Sequence, residues 1–275
     1  MSATNSISPD KLFRLIGTSN CPAIVDVRPE GDELLPASVR RRAEDVRDWA
    51  GELAGRNVVV SCAHGKERSA GTAAILRREG IAAEILEGGF SAWSDAGLPV
   101  IDAARLPKRD AAGRTVWVTR ARPKVDRIAC PWLIRRFVDP EAVFLFVAPS
   151  EVAGVAELFG ATPFDVDGVF WSHRGDLCTF DTVLEEFGLD SIDALSRLAV
   201  IVRGADTARP EIAPQAAGLL AVSLGLSRMY SEDLEQLEAG MLIYDAFYRW
   251  CRDAVDETHD WVSHKPRRAR ETVTA

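Results

Sequence analysis

Cys62 follows the apolar run Val58-Val59-Val60-Ser61, and Arg68 and Ser69 come after the five residues Ala63-His64-Gly65-Lys66-Glu67. A helical pattern covers 69–79. A thiol at a strand end, in a loop that enters a helix, faces backbone N–H groups and a positive helix end. Both favour the thiolate, which is the nucleophilic form. The same amides can cradle an anion attached to that sulfur or attacked by it. We therefore expect chemistry at Cys62 on an anionic, sulfur-containing or oxyanion substrate. His64 has two readings of equal weight: a base or cation that lowers the thiol pKa, or a solvent-facing neighbour.

The elements around this loop read as α/β. Ser8-Pro9 before Asp10 to Ile16, with Gly17 as the stop, has the order of a capped short helix. Ala23-Ile24-Val25-Asp26-Val27 is a β-branched strand. Residues 43–54 read as a helix with Val46, Trp49, Ala50 and Leu53 on one face. Strand 58–61, helix 69–79 and strand 83–86 follow, and such alternation implies a parallel sheet whose carboxyl ends carry the site. The stretch 102–114 lacks periodicity and reads as a linker. Beyond it come strand 116–119 and helices 126–137, 151–159, 181–187, 191–203, 213–226 and 231–254, interrupted by strand 143–147. The expected architecture is an α/β domain over 1–101, a mostly α-helical domain over 115–255, and a polar tail over 256–275.

Length and charge agree with that division. At 275 residues two domains are the prior, and no apolar run is long enough to cross a bilayer. Met1 to Pro9 lacks the layout of a secretion signal, so a cytoplasmic protein is expected. The net charge is −8; residues 1–105 carry 13 basic against 15 acidic side chains and the remainder 20 against 26. That balance counts against direct nucleic-acid binding. Lys265, Arg267, Arg268 and Arg270 form a basic cluster that reads as a solvated tail. The five cysteines are odd in number and scattered, without a Cys-x-x-Cys pair, which argues for reduced thiols. Cys21 reads as a buried thiol in preference to a disulfide partner of Cys62.

Asp26-Val27-Arg28, the cysteine loop, Leu86-Glu87-Gly88-Gly89-Phe90-Ser91-Ala92-Trp93 and Gly97-Leu98-Pro99 together resemble a rhodanese domain over about residues 6–101. The paired glycines permit a tight turn and a close backbone approach, and Trp93 reads as a core residue beneath it. The resemblance implies a sulfurtransferase. Cys62 would take sulfane sulfur from a small anionic donor, hold it as a persulfide and pass it to a thiol or cyanide-like acceptor. Ala63, His64, Gly65, Lys66, Glu67 and Ser69 would line the anion site, with Arg68 beside the nucleophile. Neither cofactor nor metal is implied. Two features depart from the family pattern: Leu35-Pro36-Ala37-Ser38 replaces the usual Gly-His-Ile segment, and five residues, rather than four, separate cysteine from arginine. The wider spacing is that of tyrosine phosphatases and arsenate reductases, where an arginine fork grips a tetrahedral oxyanion. Phosphatase or oxyanion-reductase chemistry is thus the alternative. Against it, there is no evident aspartate for a leaving group, and Ser61 precedes the cysteine where histidine is expected.

Residues 115–255 resemble the C-terminal domain of chromate-resistance proteins of the ChrB type. The likeness lies in Asp126 to Phe137, His173-Arg174 with Cys178 and Phe180, Ile201 to Asp206, and Ala217 to Gly225. It implies a setting in chromate or oxyanion stress, and leaves open a non-catalytic, chromate-responsive regulator. Cys130 falls with Leu133, Ile134 and Phe137 on one helical face, and Cys251 with Tyr244, Phe247 and Tyr248, so both read as core thiols. Pro131 should start or kink its helix. Arg120, Arg122, Lys124, Asp126 and Arg127, just after a strand, read as a solvated turn in slight preference to an oxyanion-binding site. The loop 170–181 is the best site candidate, with His173 and Cys178 as a weak pair of ligands and a satisfied structural histidine as the default. Arg203 and Asp206 are further candidates, or simply partners of each other.

Overall fold

A computed structural model of the chain describes residues 5–258. The basic tail cluster and the first four residues lie outside these. Five parallel strands form the first sheet, in the order β1 (Ser6–Ile7), β6 (Ala83–Leu86), β5 (Val58–Ser61), β2 (Ala23–Asp26) and β4 (Ser38–Arg40). A two-stranded antiparallel ribbon joins β3 (Glu33–Leu34) to β7 (Ile101–Asp102). The segment 102–114 is therefore not featureless: it starts in that ribbon and continues through a 3₁₀ turn over Ala103–Arg105.

Alternation along the strands sorts the sheet's two faces. Ala23, Val25, Val58, Val60 and Cys62 pack with Val46, Trp49, Ala73 and Leu76. These come from α2 (Val46–Trp49) and α3 (Glu67–Arg78). Ile24, Val59 and Leu86 face the other way, onto Leu12 of α1 (Pro9–Phe13) and Trp93 of α4 (Gly89–Asp95). The capped first helix is present, with Ser8 as N-cap and Pro9 at the first position. The helix expected over 43–54 is instead a 3₁₀ turn, one α turn and another 3₁₀ turn, although Val46, Trp49, Ala50 and Leu53 do share a buried face.

The second half holds a small parallel sheet in the order β10 (Thr162–Pro163), β8 (Val116–Arg120) and β9 (Val143–Val147). Six helices accompany it among the described residues: α5 (Asp126–Leu133), α6 (Val152–Phe159), α7 (Thr179–Glu186), α8 (Asp193–Asp206), α9 (Pro214–Met229) and α10 (Asp233–Asp253). Pro131 stands inside α5 and offers no N–H to the Arg127 carbonyl. The helix runs on for two residues and then widens into a π turn over Ile134–Val138, so the segment expected as a single helix is two.

One apolar core crosses from the first sheet into the second half. It takes in Leu12, Ile16, Leu35 and Trp93 together with Trp117, Trp132, Phe137 and Tyr248. The Ala37 amide donates to the Phe137 carbonyl at 2.7 Å, and Arg252 donates to the Arg14 carbonyl at 2.9 Å. Gly17, at φ +75°, lies so close that an added Cβ would stand 2.3 Å from the Phe137 ring and 2.7 Å from that of Tyr248. No helix among the described residues is long and apolar enough to cross a membrane.

Candidate functional site

Cys62 sits where β5 ends and α3 begins, and the residue is only 5% exposed. Lys66 caps α3 with no side-chain bond, so the helix's first amides are free to serve the sulfur. The Lys66 N–H donates to Sγ at 3.4 Å, and the Ser69 hydroxyl lies 3.1 Å from it. Burial opposes ionisation. Hydrogen bonds from the Ser69 hydroxyl and from the amides of Ser69, Lys66 and His64 outweigh it, and hold the thiol below its ordinary range. Ser69 has one proton, shared with the Lys66 carbonyl at 3.1 Å, and it turns toward sulfur once the thiol ionises.

The turn before α4 clamps this loop from behind. Phe90 N donates to the Cys62 carbonyl, and Ser91 N to that of Ala63, each at 2.9 Å. Gly89, at φ +62°, fits because it has no side chain: a Cβ would lie 2.2 Å from the Cys62 oxygen and 2.5 Å from the Gly65 nitrogen. Beside the loop, Asp26 is fully buried and takes a bidentate pair from Arg28, whose guanidinium lies 3.6 Å from the centroid of the Phe90 ring.

A second cluster forms at the carboxyl end of β8. His173 Nε2 lies 3.1 Å from Asp206 Oδ2, 3.6 Å from Asp165 Oδ1 and 3.7 Å from Asp126 Oδ2. Asp126 opens α5 and is fully buried; its Oδ2 accepts from the Thr179 amide at 2.6 Å and the Phe180 amide at 3.3 Å, at the start of α7. Asp165 accepts from Thr179 Oγ1 at 2.9 Å and pairs with Arg120 at 3.3 Å and Arg127 at 3.2 Å. Burial pushes the Asp126 carboxyl far up, and the charges of Asp206 and Asp165 add to this against the helix amides. Asp206 is raised by burial and by Asp165, with His173 partly offsetting them. The backbone is strained here: Val125 has φ +37° and Asp165 φ +50°. Ser223 Oγ, accepting from the Val125 amide at 2.9 Å, and the Tyr244 hydroxyl, donating to its carbonyl at 3.0 Å, hold Val125 in place.

Residues 8–96 match the rhodanese-like domain, and residues 117–251 match the ChrB C-terminal domain. The chain joins these two domains. A curated relative, Protein ChrB of Cupriavidus metallidurans, is 35% identical over 154 residues. That match takes in 53% of this chain and only 44% of the relative's length. Among solved structures, a rhodanese-related protein from Thermoplasma volcanium is 27% identical over 35% of this chain and 97% of that one, with a TM-score of 0.32. A rhodanese-like domain protein from Staphylococcus aureus is 30% identical over 34% and 96%, also at 0.32.

Within the rhodanese-like domain, three of the amides expected to serve Cys62, those of His64, Lys66 and Ser69, do so, whereas the side chains diverge. Arg68 does not turn to the sulfur: its Nη1 donates to Glu44 at 2.7 Å on the exposed side of α3. The His64 imidazole bonds Ser91 Oγ at 2.9 Å, so the residue acts on the thiol through its amide. Ala63, Lys66 and Glu67 are exposed around the loop, and Gly65 is half-buried. Cys21 precedes the start of β2, the opposite end of the sheet from Cys62. Four strand residues at about 3.3 Å each separate the two thiols beyond disulfide reach.

In the ChrB C-terminal domain, His173 and Cys178 do not converge. Cys178 is fully buried and donates to Asp181 at 3.2 Å, and burial with the charges of Asp126 and Asp181 drives its pKa sharply up. Arg203 forks onto Asp181 at 2.7 and 2.9 Å while Asp206 faces His173, so these two are not each other's partners. The segment expected as a solvated turn is largely engaged: Asp126 is buried, Arg120 and Arg127 bind Asp165, and Arg122 bonds the Tyr230 and Ser231 carbonyls, while Lys124 is exposed as expected. Cys130 and Cys251 are core thiols. Asp165 was not singled out from sequence. It stands alone between Phe164 and Val166, and only the fold, which draws on four separate segments, brings it here.

Proposed function

We propose that the chain is a sulfurtransferase that carries sulfur as a persulfide on Cys62 and serves resistance to chromate or related oxyanion stress. The observation that carries this reading is a thiol held below its ordinary pKa by α3 amides and the Ser69 hydroxyl. The Cys62 thiolate attacks the outer sulfur of a donor such as thiosulfate. The bond from that sulfur to the sulfonate breaks, and sulfite leaves with the electron pair. Negative charge then rests on the outer sulfur of Cys62–S–S⁻, where the loop amides favour it. An acceptor thiolate or cyanide attacks the outer sulfur, and the Cys62 thiolate departs unchanged.

The engagement of Arg68 with Glu44 supports sulfur transfer over phosphate or oxyanion chemistry, because that chemistry needs the arginine fork inside the loop. The likeness of the second domain to chromate-resistance proteins supplies the biological setting. Five unpaired cysteines accord with a reducing, cytoplasmic location.

The test is to incubate wild type and Cys62→Ser with thiosulfate and cyanide, with an aryl phosphate, and with chromate plus a thiol reductant. Thiocyanate release lost in Cys62→Ser, with a cyanide-labile gain of one sulfur atom on Cys62 by mass spectrometry, is expected. Phosphate release, or chromate loss that depends on Cys62, would replace this reading with the oxyanion one. No turnover on any substrate, with chromate-dependent assembly retained in Cys62→Ser, would make the protein a regulator.

A further inference from the structure

We propose that Asp126, His173 and Asp206 form a binding site for one divalent first-row cation in the C-terminal domain, separate from the cysteine loop. One donor atom from each of the three lies within 4.8 Å of the others. Ligands about 2.1 Å from a common ion stand about 3.0 Å apart at right angles and about 3.4 Å apart in a tetrahedron. The 3.1 Å from His173 to Asp206 and the 3.7 Å from His173 to Asp126 need adjustments of only a few tenths of an ångström.

A crowd of carboxylates is not by itself a site. Here Asp126 supplies an independent sign. It is fully buried; its Oδ2 lies 3.7 Å from His173 Nε2, and its Oδ1 accepts no hydrogen bond from any described residue. A carboxylate oxygen stripped of water and left without a donor is costly. Its other oxygen is fixed by the α7 amides, so the side chain cannot turn to find one. A cation beside His173 and Asp206 that takes the Asp126 carboxylate through both oxygens meets that need.

The surroundings have the layout of a supporting shell. Asp165 does not compete for the ion, because the charges of Arg120 and Arg127 already balance its carboxylate. Asp126 and Asp206, by contrast, have no arginine of their own. Nearby Cys178 is turned to Asp181, so the offered donors are two carboxylates and one imidazole. That set suits Mn²⁺ or Fe²⁺ better than thiophilic ions. His173 keeps 40% of its side-chain surface exposed and Asp206 18%, which leaves an entry path and open coordination positions for water.

Mn²⁺ alone, titrated into the full chain and followed by loss of the free-ion EPR signal, tests this. One ion per chain is expected in wild type and in Cys62→Ser, since the cysteine loop takes no part. Asp206→Asn and His173→Gln should each weaken binding at least about tenfold. Asp206 lies inside a helix; should its variant fail to fold, His173→Gln, on the exposed loop, carries the same readout. Addition of Mn²⁺ should also raise the thermal midpoint of wild type and leave that of His173→Gln unmoved. No uptake below about 1 mM, or affinity undiminished in His173→Gln, would overturn the site and leave a His173–Asp206 ion pair beside an unpartnered carboxyl.

Discussion

Gly89→Ala separates the contribution of the glycine turn from that of the thiol itself. Two costs apply. Placing a side chain at φ +62° costs about 1–2 kcal/mol, because the left-handed region crowds Cβ against the backbone. The new methyl would also meet the Cys62 oxygen at 2.2 Å, the Gly65 nitrogen at 2.5 Å and the Ala63 carbonyl carbon at 2.8 Å. All three are main-chain atoms that cannot rotate away, and such overpacking adds about 1–3 kcal/mol. The sum is about 2–5 kcal/mol. Gly97→Ala is the matched control: its φ is +64°, with no atom within 4 Å of a Cβ, so only the conformational cost of about 1–2 kcal/mol remains. Urea unfolding should place Gly89→Ala clearly below Gly97→Ala. Because the displaced atoms belong to the cysteine loop, alkylation of Cys62 at neutral pH should slow in Gly89→Ala and stay normal in Gly97→Ala. Equal stabilities, with equal alkylation rates, would refute the clamp.

Ser69→Ala removes the one side-chain donor to the sulfur; the Cys62 pKa, read from alkylation rate against pH, should rise by about one unit. The folded thiol of wild type ionises below its unfolded value, so its stabilising contribution is complete above the ordinary thiol range and fades as pH falls through the lowered value. Ser69→Ala should shrink that pH dependence in urea melts. Asp181→Asn removes the charge that pairs with Arg203 and turns one of its two acceptors into a donor, at a cost of about 2–3 kcal/mol by chemical unfolding; the figure is moderated because Arg203 is 23% exposed. Calorimetry should show a single cooperative transition for the full chain, because the core around Trp93, Phe137 and Tyr248 has no boundary at 102–114; two resolved transitions would contradict the shared core.

Local chemistry was legible in the sequence where its parts are neighbours along the chain. The loop 62–69 is one such place: strand, thiol and helix start are contiguous, so their geometry follows from the elements alone. Helices α8 to α10 were legible for the same reason, their apolar spacing being long and uninterrupted. Short elements were not. The 43–54 segment keeps its buried face without keeping α geometry, since packing of Val46 and Trp49 is satisfied by 3₁₀ turns as well. Pro131 signalled a break, but the break falls two residues later, at the π turn. The acidic cluster was hidden for a different reason. Asp126, Asp165, His173 and Asp206 span 80 positions without a spacing signature, whereas His173 with Cys178, and Arg203 with Asp206, look like pairs because they are close in sequence. Tertiary structure sends each of those to another partner.

Both sites follow one physical rule, and that rule explains why sequence proximity misled in one and not the other. In each half a parallel strand delivers its carboxyl end to the N-terminus of a helix: β5 to α3 at Cys62, and β8, through the strained Val125, to α5 at Asp126. Free helix amides favour negative charge. In the first half they serve the sulfur that follows β5 directly, so donor and acceptor are contiguous. In the second half Asp126 opens α5 yet is bonded by amides of α7, more than fifty residues away. The amides keep one carboxylate oxygen, the one nearer His173, occupied and leave the other without a donor among the described residues. A helix N-terminus accounts fully for the anion at Cys62 and only half of the one at Asp126, and that remaining half is the reason to look for a cation.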